Sequence, residues 1–216
     1  MKELRLLLIS IFLVFSGNVF SQTEDFKEMT GKEKTAFINQ MQLVSKETTS
    51  LQCNFIQKKE MSMLKDPSLA MGIMYYAATN NLRWEYVSPR VLVFIMNKGK
   101  TAVKDKNGVV YLEPQADKMI NNMTDIIIGM INGSTLSDSK SFTANYSTNQ
   151  KQVLIKLNPK RSKIKMAFSS IHVYVDAGTY LAEKIIMNEA GGDVTTILLS
   201  NIKRNTFIAD DKFNLN

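Results

Sequence analysis

The spacing of apolar residues changes several times along this 216-residue chain, and each change marks an element. Leu6 to Phe15 is an apolar run broken only by Ser10. Lys2 and Arg5 precede it, and the small and polar residues Ser16, Gly17, Asn18, Val19, Phe20 and Ser21 follow. Such a run is too short to span a bilayer. With Val19 and Ser21 at the −3 and −1 places of a cut after Ser21, residues 1–21 are predicted to be a cleaved signal peptide. That leaves residues 22–216 as a single domain.

Thr30 and Glu33 then form a capping-box pattern, followed by Ala36, Phe37, Met41 and Val44 at helical spacing. One amphipathic helix over roughly 30–48 is predicted. From Leu51 the period becomes two. Leu51, Cys53 and Phe55 share one face of a strand, and Leu82, Trp84 and Tyr86 share one face of another, opposite Arg83 and Glu85. Val91 to Met96 is apolar on both faces. Asn107-Gly108 reads as a hairpin turn.

Met119 to Ile131 returns to helical spacing, with Met119, Ile120, Met123, Ile127, Met130 and Ile131 on one stripe that Asn132-Gly133 ends. The rest alternates again: Phe142–Tyr146, Val153–Leu157, Ile171–Val175, Leu181–Asn188 and Val194–Ile202. Short strands joined by tight turns predict a mainly β, α+β domain of about eleven antiparallel strands with two main helices.

The chemistry this chain can support is narrow. One Cys and one His exclude an intramolecular disulfide and a structural zinc site. Cys53 alternates in phase with Leu51 and Phe55 and reads as a buried thiol. His172 lies out of phase with Ile171, Val173 and Val175 and reads as a surface residue, not a catalytic one. No phosphate loop or nucleophile elbow is present. The expectation is a protein that is not an enzyme, with no catalytic residue, metal or cofactor.

The net charge of +7 is concentrated. Lys151, Lys156, Lys160, Arg161, Lys163 and Lys165 fall within fifteen residues that contain no acid. The stretch is either a solvated turn with its flanks or a docking surface for an acidic partner or an anionic leaflet. No nucleic-acid-binding module accompanies it. The Met and Ile stripe of the second predicted helix is open to two uses as well. It packs a filled core, or it covers a cavity for an apolar ligand, for which flexible Met is suited.

Several short motifs resemble one family. They are Phe55-Ile-Gln57, Gly72-Ile-Met-Tyr-Tyr76, Leu82-Arg-Trp-Glu-Tyr86 followed by Pro89, and Asn97-Lys-Gly-Lys100. Asp193 to Ile202, Asn205 to Ile208 and Asp211-Lys-Phe213 follow in the C-terminal half. In order and spacing they are similar to the LolA family, periplasmic carriers of outer-membrane lipoproteins in Gram-negative bacteria.

The resemblance covers most of residues 30–213. It implies a strongly curved, half-open antiparallel β-barrel with helices as a lid over an apolar cavity for acyl chains. It also implies a periplasmic, monomeric chaperone, loaded by an ATP-driven inner-membrane complex and emptied by an outer-membrane acceptor. By motif position the lipid-binding residues are Phe55, Leu82, Trp84 and Tyr86, with Tyr75 and Phe94 as neighbours. Met119, Met123, Ile127 and Met130 are the lid candidates, from their period alone.

Where many members carry Arg-Pro before the Trp strand, with the Arg latching the lid, this chain has Ala78-Thr79. Two further readings therefore stand beside lipoprotein transport. One is a carrier of another acylated lipid, glycolipid or polyene. The other is a lipid-sensing or adaptor domain that binds a membrane protein through residues 151–165.

Overall fold

The computed structural model describes residues 25–78, 81–112 and 140–214. The elements are β1 (Lys27–Glu28), α1 (Gly31–Glu47), β2 (Ser50–Glu60), β3 (Ser68–Ala77), β4 (Asn81–Ser88), β5 (Leu92–Asn97), β6 (Lys100–Asp105) and β7 (Gly108–Leu112). They continue with β8 (Phe142–Thr148), β9 (Gln152–Pro159), α2 (Ser162–Lys165), β10 (Phe168–Asp176), β11 (Ala182–Glu189), β12 (Val194–Arg204) and a 3₁₀ turn, Asp210–Phe213.

All twelve strands join one antiparallel sheet in the order β1-β8-β9-β10-β11-β12-β2-β3-β4-β5-β6-β7. The sheet is curved and open, since β1 and β7 are its two edges. The expected strand count was short by β1, a two-residue strand pairing Lys27 and Glu28 with Thr148 and Ser147. Two residues are too few to show a period.

The predicted first helix forms from Gly31, capped as its sequence requires. The Thr30 side chain accepts from the Glu33 N–H, and the Glu33 carboxylate accepts from the Thr30 N–H at 2.8 Å. The Thr30 N–H and hydroxyl, both donating to the Glu33 carboxylate, hold that carboxyl below its usual range. Phe37 and Met41 on its apolar face join the core. The predicted signal peptide and the predicted helix Met119–Ile131 lie outside the described residues.

Alternation decides which face is buried. Cys53, Met74, Trp84 and Phe94 are successive register partners across β2 to β5, and all are buried on the inner face beneath α1. The same cluster continues through Ile197, Ile185, Val173 and Ile155 on β12, β11, β10 and β9. Cys53 is fully buried, and loss of solvation pushes its thiol up to about 12.

An exposed thiol titrates near 9.0. Below about pH 9 the buried Cys53 is neutral and its contribution to stability is intact. Between that pH and about 12 an unfolded chain loses its proton first, so rising pH favours unfolding. Iodoacetamide at pH 8 is expected to leave Cys53 unmodified in the folded protein and to alkylate it within minutes in denaturant. Rapid labelling of the folded chain, read by mass, would contradict this burial.

The two-sided apolar run of β5 has a direct explanation. Phe94 faces the inner core, whereas Val93 and Ile95 face outward and are nonetheless buried. The 3₁₀ turn Asp210–Phe213 folds back over β4 and β5 on that outer side and buries Phe213. Asn97 Nδ2 donates to the Phe213 carbonyl at 2.9 Å, and Arg83 donates to the Lys212 carbonyl at 3.3 Å. A second, smaller apolar layer therefore lies outside the sheet.

Candidate functional site

The apolar face of α1 does not sit flush on the sheet. A cleft opens under the C-terminal half of the helix, beside Met41, Val44 and Ser45. Its floor is Leu51 on β2, Met74 on β3 and Trp84 on β4. Ala182 and Ile185 on β11, Leu199 and Ile202 on β12, and Tyr180 and Leu181 in the turn before β11 form the opposite wall. Counting its open mouth, the cleft takes in about 560 Å³. Only about 40 Å³ of it can seat the centre of a water molecule, room for a few waters.

The floor is stiffened by stacked rings. Phe55 lies on Trp84 with centroids 4.2 Å apart and meets Tyr86 edge-on at 5.2 Å. The Glu85 backbone carbonyl and the ring of Phe55 occupy the space where any residue at position 72 larger than Gly would place its Cβ. The Gly72 of the sequence motif is thus required by a close approach, and the β3–β4 register shifts between Met71 and Gly72. Tyr86 donates to Gln57 Oε1 at 2.9 Å, which links the first motif to the third. Burial pushes the Tyr86 phenol up, so it stays protonated.

Trp84 is 2% exposed, and its indole N–H has no hydrogen-bond acceptor among the described residues; the Tyr86 hydroxyl is near but not in bonding geometry. A buried donor left unpaired costs about 1–3 kcal/mol.

Of the lipid-binding candidates among the described residues, Trp84 alone lines the cleft. Phe55, Leu82 and Phe94 are buried in the inner-face core around it, and Tyr86 packs at its edge. Tyr75 is a correction. It pairs with Arg83 and Gln52 on the outer face, where Lys212 Nζ lies 5.3 Å from its ring centroid. Counting back from Trp84 through the β3–β4 register shows the error, because the inner partner of Trp84 is Met74. Met119, Met123, Ile127 and Met130 lie outside the described residues.

The wall from β11, β12 and the turn at Tyr180 was missed. These strands alternate like any half-buried strand, and nothing local marks which of their apolar residues border a space. The helix stripe containing Met41 and Val44 was visible but reads equally as core packing.

The basic stretch separates into three places, with Lys151 in the turn between β8 and β9. Lys156 stands on the outer face of β9 opposite His172, while Lys160, Arg161, Lys163 and Lys165 surround α2 at one end of the sheet. His172 is half-buried on that outer face, and burial and Lys156 both hold its ring below the usual range. Ser170 Oγ lies 3.4 Å from its Nε2, and Asn188 donates to the same hydroxyl. No carboxylate joins them, and no group of metal-ligating side chains occurs among the described residues. No described helix is long and apolar enough to cross a membrane.

An open antiparallel sheet with an apolar cleft under one helix stands beside a family match in the sequence. The model of the outer membrane lipoprotein carrier protein LolA matches residues 46–216. The chain belongs to the LolA family. The match begins at the C-terminal end of α1 and takes in every strand from β2 onward.

Similar solved structures include a LolA superfamily protein from Nitrosomonas europaea, 11% identical over 83% of this chain and 96% of that one, TM-score 0.45. The lipoprotein LppX of Mycobacterium tuberculosis is 15% identical over 87% and 100%, TM-score 0.47. The MucA/MucB complex of Pseudomonas aeruginosa is 12% identical over 84% of this chain and 60% of that one, TM-score 0.47. No curated protein sequence matches the chain.

Proposed function

We propose that this protein carries the acyl chains of lipoproteins across the periplasm, from the inner to the outer membrane, as a monomeric chaperone. The observation that carries this reading is the apolar cleft between α1 and the inner face of the sheet, in a chain of the LolA family. An ATP-driven inner-membrane complex would load it and an outer-membrane acceptor would empty it. The work is binding and release, with no bond made or broken.

Magnitudes explain the need for such a carrier. Burying one methylene is worth about 0.8 kcal/mol, so a chain of about fifteen methylenes costs roughly 12 kcal/mol to leave in water. Free crossing is effectively forbidden. A cleft this narrow has little apolar surface to rewet on release. Met41 and Met74 on opposite sides of it supply adaptable walls.

The test is mass spectrometry of material that co-purifies with the protein from its own host. A triacylated polypeptide is the expected finding. Lipid without peptide would reassign the cargo to a free acylated lipid, glycolipid or polyene. A protein that emerges empty and takes up no acyl probe would end the carrier reading.

A further inference from the structure

The strand register collects five connections at one end of the sheet. Glu60 pairs with Val194, Lys59 with Ser68, Met71 with Ser88, Val93 with Lys104, Phe142 with Pro159 and Phe168 with Glu189. Segments 61–67, 89–91, 106–107, 160–167 and 190–193 therefore form one rim. Neighbouring loops are tied together there: Ser62 N–H donates to Asp193 at 3.0 Å, and Ala190 N–H to the Ala167 carbonyl at 3.0 Å. The C-terminal end of α1 lies at the opposite rim, where Asn205 Nδ2 donates to the Glu47 carbonyl.

Two properties meet on the first rim. Large apolar side chains project from three separate loops: Met63 is 94% exposed, Leu64 58%, Val91 64% and Met166 74%. Cations flank each of them, namely Lys65, Arg90, Lys106, Arg161, Lys163 and Lys165, all exposed and in no ion pair among the described residues. Of the acids there, Glu60 is paired with Lys58, and Glu189 and Asp193 with Lys59, which leaves Asp66 and Asp105. Among the described residues the opposite rim exposes Phe207 and carries Lys46, Lys98, Lys100, Lys151 and Arg204, with no comparable group of exposed apolar tips beside them.

We propose that this rim docks on an anionic lipid bilayer, with the Met and Leu tips entering the interface and the cations resting on the headgroups. Apolar loop tips ringed by positive charge match a surface that is apolar just beneath a negative layer. An acidic protein would be met by the cations alone, leaving Met63 and Met166 without a role. The proposal stands apart from what the cleft carries.

The test is sedimentation with vesicles of phosphatidylcholine, alone or mixed with phosphatidylglycerol. The full chain and a chain starting at Gln22 are run in parallel, because every described element lies beyond residue 24. Binding is expected with the mixed vesicles and is expected to weaken with salt. Replacing Arg161, Lys163 and Lys165 together by Gln should weaken it about a hundredfold, on the order of fivefold per cation. The pair Met63→Ser and Met166→Ser should weaken it at least about tenfold, whereas Lys151→Gln should not. Thermal melting of the variants should match the parent, since these side chains are exposed.

No vesicle binding, or equal binding by all variants, overturns the proposal. So does binding to soluble polyglutamate without binding to vesicles, which would assign the rim to an acidic protein. Cargo measured in the same preparations reads the cleft separately.

Discussion

Replacing Ser45 by Trp is expected to empty the cleft without unfolding the protein. Ser45 is half-buried on the last turns of α1 and lines the mouth, so a larger side chain there enters the space instead of the core. The narrow part of the cleft admits only a few waters, and an indole fills more than that. Ser and Trp have similar helix propensities, so the helix itself is little affected. Lipid that co-purifies with the parent should fall below about a tenth, roughly 1.4 kcal/mol or more of lost affinity. Melting should stay within a few degrees. Ser45→Ala should keep its lipid. Full lipid content in Ser45→Trp, measured by mass spectrometry, would move the acyl site elsewhere on the molecule.

The largest stability effect is expected at the other face of the sheet. Phe213 is 2% exposed and covers the outward side of β4 and β5, where Val93 and Ile95 would otherwise meet water. Truncating a buried Phe to Ala typically costs about 3–5 kcal/mol. For a domain of this size that corresponds to a melting point lower by about 10 °C. Phe213→Ala should reach this loss while cargo content stays near that of the parent, because the cleft is on the inner face. Calorimetry gives the first quantity and mass spectrometry the second. A melting point lowered by a degree or two would mean that the C-terminal turn adds little to the sheet.

The sequence made the architecture legible where its signals are local. The Thr30–Glu33 capping box placed α1 within a residue, and alternation in Leu82 to Tyr86 gave the correct inward set. Turn residues marked a hairpin at Asn107-Gly108, where Gly108 takes a positive φ. The cleft was less legible, because a space is bounded by residues distant in the chain. Leu51 and Ile202 meet only because β12 pairs with β2, and no period near either residue reports that pairing. Tyr75 shows the same limit at smaller scale. Aromatic neighbours on β3 point in opposite directions, and only the register with β4 tells which one faces inward. The outer layer under Phe213 was visible as a two-sided apolar strand, but its cover comes from the far C-terminal end of the chain.

The strand order divides the sheet into two meanders, β2 to β7 and β8 to β12, zipped together by the single pairing of β12 with β2. Within each meander, consecutive strands are neighbours and close short loops. The zipper joins residues such as Phe55 and Leu199 and must close a far longer loop, the slower kind of event in folding. Leu51, Met74 and Trp84 lie on one side of that seam, and Ile185, Leu199 and Ile202 on the other. A half-assembled chain therefore has no binding groove to offer. Newly made copies present no complete cleft until their last long-range register has locked, which separates maturation from service in time.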